Sequence, residues 1–122
     1  MRNFREYDIW KGAVKLTKVV YKTTSLFPEH EKFGLKSQVQ RAAVSIASNI
    51  AEGASRSSEI DFSRFLQIAL GSAFEVETQL IIAKELNYIS QDELDKIYLD
   101  LNKLQKQINQ LITKIRRPKA KS

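Results

Sequence analysis

Apolar residues recur near the start of the chain at the spacing of a single helix face. Between residues 7 and 25 the steps are four, three, four and four positions. Residues separated by such steps lie on one side of an α-helix. The pattern therefore predicts a first helix over residues 7–25, whose inward face consists of Ile9, Ala13, Leu16, Val20 and Thr24.

The segment that follows breaks this periodicity. Pro28 disfavours the right-handed helical conformation at Phe27, and Gly34 marks a second irregular point. We therefore expect a loop over residues 26–33 and a second helix over residues 35–54. The second helix is rich in alanine, which would let a neighbouring helix approach closely. Its predicted inward residues are Val39, Ala43, Ile46, Ala47 and Ile50.

Two longer helices with heptad seams are predicted in the second half. Ser58 is a candidate N-cap for a third helix over residues 59–86. Ser90 and Glu93 form a capping-box pattern at the start of a fourth helix over residues 90–117. The third seam contains Phe62, Leu66, Ala69, Ala73, Val76, Leu80 and Ala83, and the fourth contains Leu94, Ile97, Leu101, Leu104, Ile108, Leu111 and Ile115.

Together these segments predict one all-α domain over residues 1–122. The third and fourth helices are joined by a short turn, so we expect them to pack antiparallel within a four-helix bundle. The two prolines, Pro28 and Pro118, both lie outside the strongly periodic segments. Residues 118–122 are predicted to form a basic tail. A hydrophobic content of 43% with 28% charged residues is typical of a folded globular chain.

The sequence lacks the residue patterns of the common catalytic sites. It has no cysteine and a single histidine, His30, and it contains neither a Glu-x-x-His motif nor a glycine-rich phosphate loop. We therefore expect no enzymatic activity, no metal and no cofactor. The N-terminus has no apolar signal region, and no uninterrupted stretch approaches ~18 apolar residues. A cytoplasmic protein that does not associate with membranes is the expectation.

The charge balance favours polyanionic partners. Lysine and arginine number 20 against 14 aspartate and glutamate, giving a net charge of +6. Four of the lysines are spaced so that they lie opposite the apolar face of the first helix, with no acidic residue between them, and the row spans about 16 Å. These candidate phosphate contacts are Lys11, Lys15, Lys18 and Lys22. The alternative is an ordinary solvated face.

A second basic cluster lies at the end of the fourth helix and is a further candidate for nucleic-acid contact, since basic tails commonly act as electrostatic arms. Cations at a helix C-terminus also interact favourably with the helix dipole. The dipole is therefore a purely structural explanation for the cluster members that precede Pro118, but not for those that follow it. The cluster consists of Lys114, Arg116, Arg117, Lys119 and Lys121.

The second helix carries a polar stripe opposite its apolar face, for which a solvent-exposed face is again the alternative. This stripe contains Arg41, Ser45, Ser48 and Glu52, with Asn49 at its border.

The third helix has more apolar surface than one seam can use. Leu70, Phe74 and Ile81 lie about 120° from the seam, and three further residues flank its other side, namely Ile68, Ile82 and Leu86. We therefore predict that the third helix forms a subunit interface. The alternative is that loops or the N-terminal segment, with Phe4 and Tyr7, cover this surface.

Two segments carry a resemblance to a known family. Residues 40–53 read QRAAVSIASNIAEG and residues 65–75 read FLQIALGSAFE. Together with Asp8-Ile9-Trp10-Lys11 and Phe27-Pro28, they resemble the four-helix-bundle proteins encoded in intervening sequences of 23S ribosomal RNA genes. The resemblance covers nearly the whole chain and weakens in the fourth helix.

This resemblance implies an antiparallel up-down-up-down four-helix bundle that assembles into a homopentamer and binds RNA or DNA rather than processing it. It also implies that Arg41, Ser45, Asn49 and Glu52, which lie in the family signature, contact a neighbouring subunit or the ligand. The chain is similar, less closely, to the pentameric accessory protein of diversity-generating retroelements, which binds nucleic acid and a reverse transcriptase. The leading hypothesis is thus a non-catalytic nucleic-acid-binding oligomer. The alternative is a protein-protein scaffold or accessory subunit, such as a reverse-transcriptase accessory protein, with no direct nucleic-acid role.

Overall fold

The computed structural model describes residues 2–118 and contains four long α-helices. Helix α1 spans Asp8–Thr24, α2 spans Leu35–Ala54, α3 spans Glu59–Glu85 and α4 spans Gln91–Arg116. Short 3-10 turns at Phe4–Glu6 and Glu29–Glu31 precede α1 and α2, and the described residues contain no strand. The all-α prediction is confirmed, and each helix agrees with its predicted bounds to within one residue at either end.

The helix ends follow from local sequence. The Ser58 side chain accepts a hydrogen bond from the backbone N–H of Asp61 at 3.1 Å. At the start of α4, Ser90 and Glu93 form both bonds of the capping box, each 3.1 Å long. Helix α3 ends at Glu85, and Asn87, two residues later, has a φ of 63° in the left-handed region that asparagine tolerates. These caps satisfy backbone groups that a helix terminus leaves unpaired.

Hydrogen bonds between α1 and α2 show how these two helices run. The Gln40 side-chain amide donates to the Thr24 hydroxyl at 3.0 Å, and the Thr17 hydroxyl donates to the carbonyl oxygen of Ala43 at 3.2 Å. Residue numbers therefore fall along α2 as they rise along α1, so the two helices are antiparallel.

The contacts of α3 with its two neighbours show the same relationship. Towards α2, Gln79 pairs with Gln38 and Ser72 with Ser45. Towards α4, the Gln105 side-chain amide donates to Glu77 at 2.9 Å and the Arg116 guanidinium donates to Ser63 at 3.1 Å. In both pairs the residue numbers run in opposite directions, so α3 is antiparallel to α2 and to α4.

The four helices form a closed ring in cross-section. Helix α1 packs against α2 and α4, and α3 packs against the same two helices, whereas α1 and α3 lie diagonally across the core.

The predicted seam of α3 is fully buried. In α4 the buried position after Ile108 is Ile112, while Leu111 and Ile115 are only half-buried. On a straight α-helix, residues seven positions apart are rotated by about 20° about the helix axis. A strict heptad seam therefore turns away from the core over several repeats, which accounts for this shift.

The connection between α1 and α2 is more ordered than a plain loop. Phe27 is buried, and its ring packs against Tyr88 with a centroid separation of 5.4 Å. Leu26 and Phe33, in contrast, are 86% and 89% exposed. The Phe27 side chain therefore packs this connection against the turn between α3 and α4.

Helix α3 is the most apolar element of the bundle. Its length and a mean hydropathy of 1.2 over 18 residues would suffice to cross a membrane, and it is the one such helix among residues 2–118. One-third of that window is buried inside the bundle, where α3 packs against α2 and α4. The remainder makes α3 the main source of exposed apolar surface.

Candidate nucleic-acid interface

The four lysines of α1 lie together on the outside of the bundle. All are exposed, and the opposite face of the helix is buried in the core. The four ion pairs among residues 2–118 involve other side chains, so no carboxylate neutralises this row within 4.0 Å. The structure thus places Lys11, Lys15, Lys18 and Lys22 on one unpaired cationic surface, as the spacing predicts.

Helix α4 extends this surface alongside α1. From Leu101 to the end of the chain there is no acidic residue, and the lysines of this half of α4 are exposed. We define the α1/α4 basic face as the exposed lysines of α1 together with those of α4 from Leu101 onward, namely Lys11, Lys15, Lys18, Lys22, Lys103, Lys106 and Lys114. Lys103 and Lys106 were not among the residues predicted from the sequence, although the acid-free run was a visible signal.

A groove of about 370 Å³ separates α1 from α4 within the basic face. Its floor consists of the buried residues Leu16 and Leu104, and Gly12 lies between the helices. The remaining lining side chains are polar and come from both helices, namely Asp8, Lys15, Asp100, Lys103 and Gln107. Two carboxylates therefore interrupt the lysines at the centre of the basic face.

The basic cluster at the end of α4 divides into residues with different roles. Arg116 donates to the hydroxyl of the buried Ser63, so this guanidinium also links α4 to α3. Lys114 and Arg117 are exposed, with no ion pair among residues 2–118. Lys119 and Lys121 lie outside the described residues. Arg117 and Lys114 are thus the described members of the cluster with free cationic groups.

The structure does not bring Arg41 near the α1/α4 basic face. Arg41 is exposed in a polar groove between α2 and α3, on the opposite side of the bundle. The same groove contains Glu75 and Gln79 of α3. Any nucleic-acid contact of Arg41 would therefore require a second surface.

The neighbouring polar residues of α2 contact their own chain. The hydroxyls of Ser45 and Ser72 lie 2.9 Å apart, and the Asn49 amide donates to the Ser45 carbonyl at 2.8 Å and to its hydroxyl at 2.9 Å. Glu52 pairs with Arg56 at 3.2 Å. Ser45 and Asn49 are half-buried rather than fully exposed, because the stripe that periodicity assigns to solvent borders α3.

The surplus apolar residues of α3 remain accessible on two strips. Beside α4, Phe74 is 50% and Ile81 42% exposed, whereas Leu70 is half-buried. Ile81 borders a small groove that also contains Tyr98 of α4. Beside α2, a second strip consists of Ile68, Ile82 and Leu86.

The N-terminal segment does not cover these strips. Phe4 packs edge-on against Trp10 at a centroid separation of 5.2 Å, and Tyr7 contacts Phe62 at 5.8 Å. Both rings therefore lie near the starts of α1 and α3. The alternative in which Phe4 and Tyr7 shield Phe74 and Ile81 is wrong for the chain as described.

No group of three or more histidine, cysteine, aspartate or glutamate side chains within residues 2–118 is arranged to hold a metal ion.

Glu31 and Tyr88 have shifted pKa values, and both lie at the end of the bundle where α2 begins. Backbone hydrogen bonding from Leu35 and the Tyr88 hydroxyl lowers the pKa of Glu31, and the Glu31 carboxylate raises the pKa of Tyr88. These shifts belong to a capping contact, and neither residue lines the groove between α1 and α4.

Comparisons with known proteins place the chain in a family. No curated protein sequence matches it. A crystal structure of a protein with unknown function from the S23 ribosomal protein family of Bacteroides thetaiotaomicron VPI-5482 is similar, with a TM-score of 0.76 and 26% identity over 85% of this chain and 97% of that chain. The family model for the 23S rRNA-intervening sequence protein matches residues 5–110, which include α1 to α3 and most of α4. The resemblance in the sequence is thus confirmed, and the chain belongs to the 23S rRNA-intervening sequence protein family.

Proposed function

We propose that the protein is a non-catalytic nucleic-acid-binding protein that holds RNA or DNA through phosphate contacts on the α1/α4 basic face. The observation that carries this proposal is the exposure of seven lysines on two neighbouring helices, none in an ion pair among residues 2–118. A net charge of +6 supports the same class of partner. Arg117, at the end of α4, extends the face.

Phosphate contacts of this kind give affinity without reading sequence. Each lysine that neutralises a phosphate releases a condensed counterion, which makes binding depend steeply on salt. Ammonium groups on flexible side chains act as point charges and impose little geometric selectivity. We therefore expect RNA and DNA of many sequences to bind in dilute buffer and to dissociate as salt is added.

We further propose that copies of the chain associate through α3. The two apolar strips flank α3 on different sides, and neither is covered by another segment within residues 2–118. Two non-identical patches on one subunit can join head to tail, and such contacts form a ring when the rotation between subunits closes. The pentamer that the sequence resemblance implies would be a ring of this kind. Association through α3 leaves α1 and its lysines free, since α1 lies diagonally opposite.

The test of nucleic-acid binding removes the lysines of α1. The variant combines Lys11→Gln, Lys15→Gln, Lys18→Gln and Lys22→Gln, and its affinity for RNA and DNA is measured across a range of salt concentrations. A matched control removes four cations elsewhere, combining Lys32→Gln, Lys36→Gln, Arg64→Gln and Lys84→Gln. We expect the log-log salt slope of the first variant to fall by about 0.7 for single strands, or about 0.9 for duplex DNA, for each phosphate that it no longer neutralises. The control should retain the wild-type slope.

The opposite outcome is also informative. If the wild-type protein does not bind RNA or DNA at low salt, the proposal is wrong and the positive charge serves solubility alone. The protein-scaffold alternative then predicts that partners remain bound in a pull-down from nuclease-treated lysate. Equal losses in both variants would instead show that net charge, rather than the α1/α4 basic face, determines affinity.

A further inference from the structure

Two carboxylates lie where a surface built only for phosphates would exclude them. Asp8 and Asp100 line the α1/α4 groove together with Lys15 and Lys103. Among residues 2–118, neither carboxylate forms an ion pair within 4.0 Å. Asp8 lies in the first turn of α1, where it complements the helix dipole. Asp100 lies in the interior of α4, and the dipole provides no such explanation for it.

Gly12 keeps this groove open between the two helices. Glycine destabilises a helix interior relative to alanine, so its presence in α1 calls for a local reason. Close packing is not that reason, because an added Cβ would lie 3.5 Å from the nearest Leu104 methyl carbon, an ordinary contact. A side chain at position 12 would, however, project over the groove. The residue thus preserves space rather than a tight helix contact.

The groove has the make-up of a small-ligand site. Its volume of about 370 Å³ falls within the ~300 to 1,000 Å³ of typical ligand pockets. Leu16 and Leu104 form its floor, and the polar groups of the lining come from both helices. Carboxylates accept hydrogen bonds, the Gln107 amide can donate and accept, and the two lysines carry positive charge.

We propose that this groove takes one unpaired base of a nucleic-acid strand, with guanine preferred, an inference that rests on the proposed function. Guanine presents two adjacent N–H donors on its pairing edge, and one carboxylate accepts both, as it does from an arginine fork. Adenine and cytosine place a ring acceptor next to their amino group, and uracil places carbonyls on either side of its single N–H. Asp100 accepts from the guanine edge, and Lys15 and Lys103 contact the phosphates on either side.

This arrangement selects single strands. The pairing edge of a base inside a duplex is occupied, and sequence-dependent recognition of RNA targets bases that are free to leave the stack. Loops and single-stranded regions are therefore the substrate class. The lysines beyond the groove contribute affinity that is independent of the base.

The experiment compares two single-stranded RNAs, a uridine 12-mer and the same strand with one central guanosine, by fluorescence anisotropy at fixed salt. We expect wild-type protein to bind the guanosine strand on the order of tenfold more tightly, as for one good bidentate base contact. Asp100→Asn should abolish this preference while binding the uridine strand at least as well. The matched control Asp92→Asn changes the same charge in the first turn of α4 and should keep the preference.

A second pair of variants tests the space itself. Gly12→Leu should fill the groove and remove the guanosine preference, and Gly12→Ala should reduce it. Both residues favour helix more than glycine does, so thermal unfolding should occur at or above the wild-type temperature. Equal wild-type affinity for the two strands overturns the groove assignment and leaves the phosphate-binding proposal intact. A guanosine preference that survives Asp100→Asn also overturns it, whereas failure of both strands to bind overturns the proposed function as well.

Discussion

The Tyr88 hydroxyl donates a 2.8 Å hydrogen bond to the Glu31 carboxylate and joins the segment before α2 to the turn between α3 and α4. The other oxygen of Glu31 accepts from the backbone N–H of Leu35 at 3.1 Å and thereby caps α2. His30 Nε2 lies 3.2 Å from the same hydroxyl. One carboxylate thus fixes the start of α2 and connects it to a turn 57 residues later.

This contact predicts an acid-sensitive contribution to stability. The Leu35 N–H and the Tyr88 hydroxyl hold the pKa of Glu31 below its ordinary value of 4.5. Because the pKa is lower in the folded chain, ionised Glu31 stabilises the fold above the unfolded pKa, and this stabilisation is lost as pH falls through the folded pKa. Glu31→Gln should therefore show a shallower loss of melting temperature than wild type below about pH 4.5.

The control for this measurement is Glu29→Gln, which removes the same charge two residues earlier in the same 3-10 turn. Below about pH 4.5, the melting temperature of this control variant should fall with pH as steeply as that of wild type. Tyr88→Phe removes the second hydrogen bond to Glu31 and should lower the melting temperature at neutral pH. If the melting temperatures of Glu31→Gln and Glu29→Gln depend identically on pH, the capping contact does not contribute to acid-sensitive stability.

The close approach of α2 and α3 predicts opposite effects for two glycine substitutions. A Cβ at Gly53 would lie 2.6 Å from the Phe65 Cβ and 3.1 Å from a Phe62 ring carbon, whereas a Cβ at Gly71 would meet nothing within 4 Å. Gly53→Ala should lower the free energy of unfolding by about 1 to 3 kcal/mol through overpacking. Gly71→Ala should raise it by about 0.5 to 1 kcal/mol through helix propensity. Urea unfolding of the two variants would show the difference in sign.

The exposed strip of α3 beside α4 predicts self-association. Light scattering of the wild-type chain should give a mass several times 14.0 kDa. Phe74→Ser with Ile81→Ser should shift this mass towards the monomer, because both side chains are about half exposed within one chain. Leu26→Ser, in an 86% exposed loop position, should leave it unchanged. A monomeric wild-type protein at micromolar concentration would contradict the α3 interface.

The capping box of α4 predicts a local stability effect. Ser90→Ala removes the acceptor for the Glu93 backbone N–H and should cost about 1 kcal/mol of unfolding free energy. Ser57→Ala, at an exposed position in the turn before α3, provides the comparison and should change stability by less than about 0.5 kcal/mol. Equal denaturation midpoints for the two variants would show that the box does not stabilise α4.

The sequence predicted what depends on neighbouring residues. Caps such as Ser58 and Ser90 act within three positions, and the α3 seam repeats along one helix, so helix bounds and the buried face of α3 could be derived locally. Heptad counting was less successful at the end of α4, where Ile112 is buried in place of Leu111.

Features that depend on which helices become neighbours could not be derived in this way. The Ser45–Ser72 contact requires knowing that α3 borders the polar stripe of α2. The groove with Asp8 and Asp100 requires knowing that α1 lies beside α4. The lysines of α1 were predicted as an exposed row because their spacing alone places them opposite the core.

The diagonal placement of α1 across from α3 has a consequence for avidity. If subunits join through α3, every α1/α4 basic face points outward, and one assembly presents several equivalent sites to the same strand. A strand long enough to reach two faces converts the second encounter into an intramolecular one, which can strengthen overall binding by about 10² to 10⁴ without any new contact. Strand length, more than base composition, would then set the concentration at which the assembly becomes occupied.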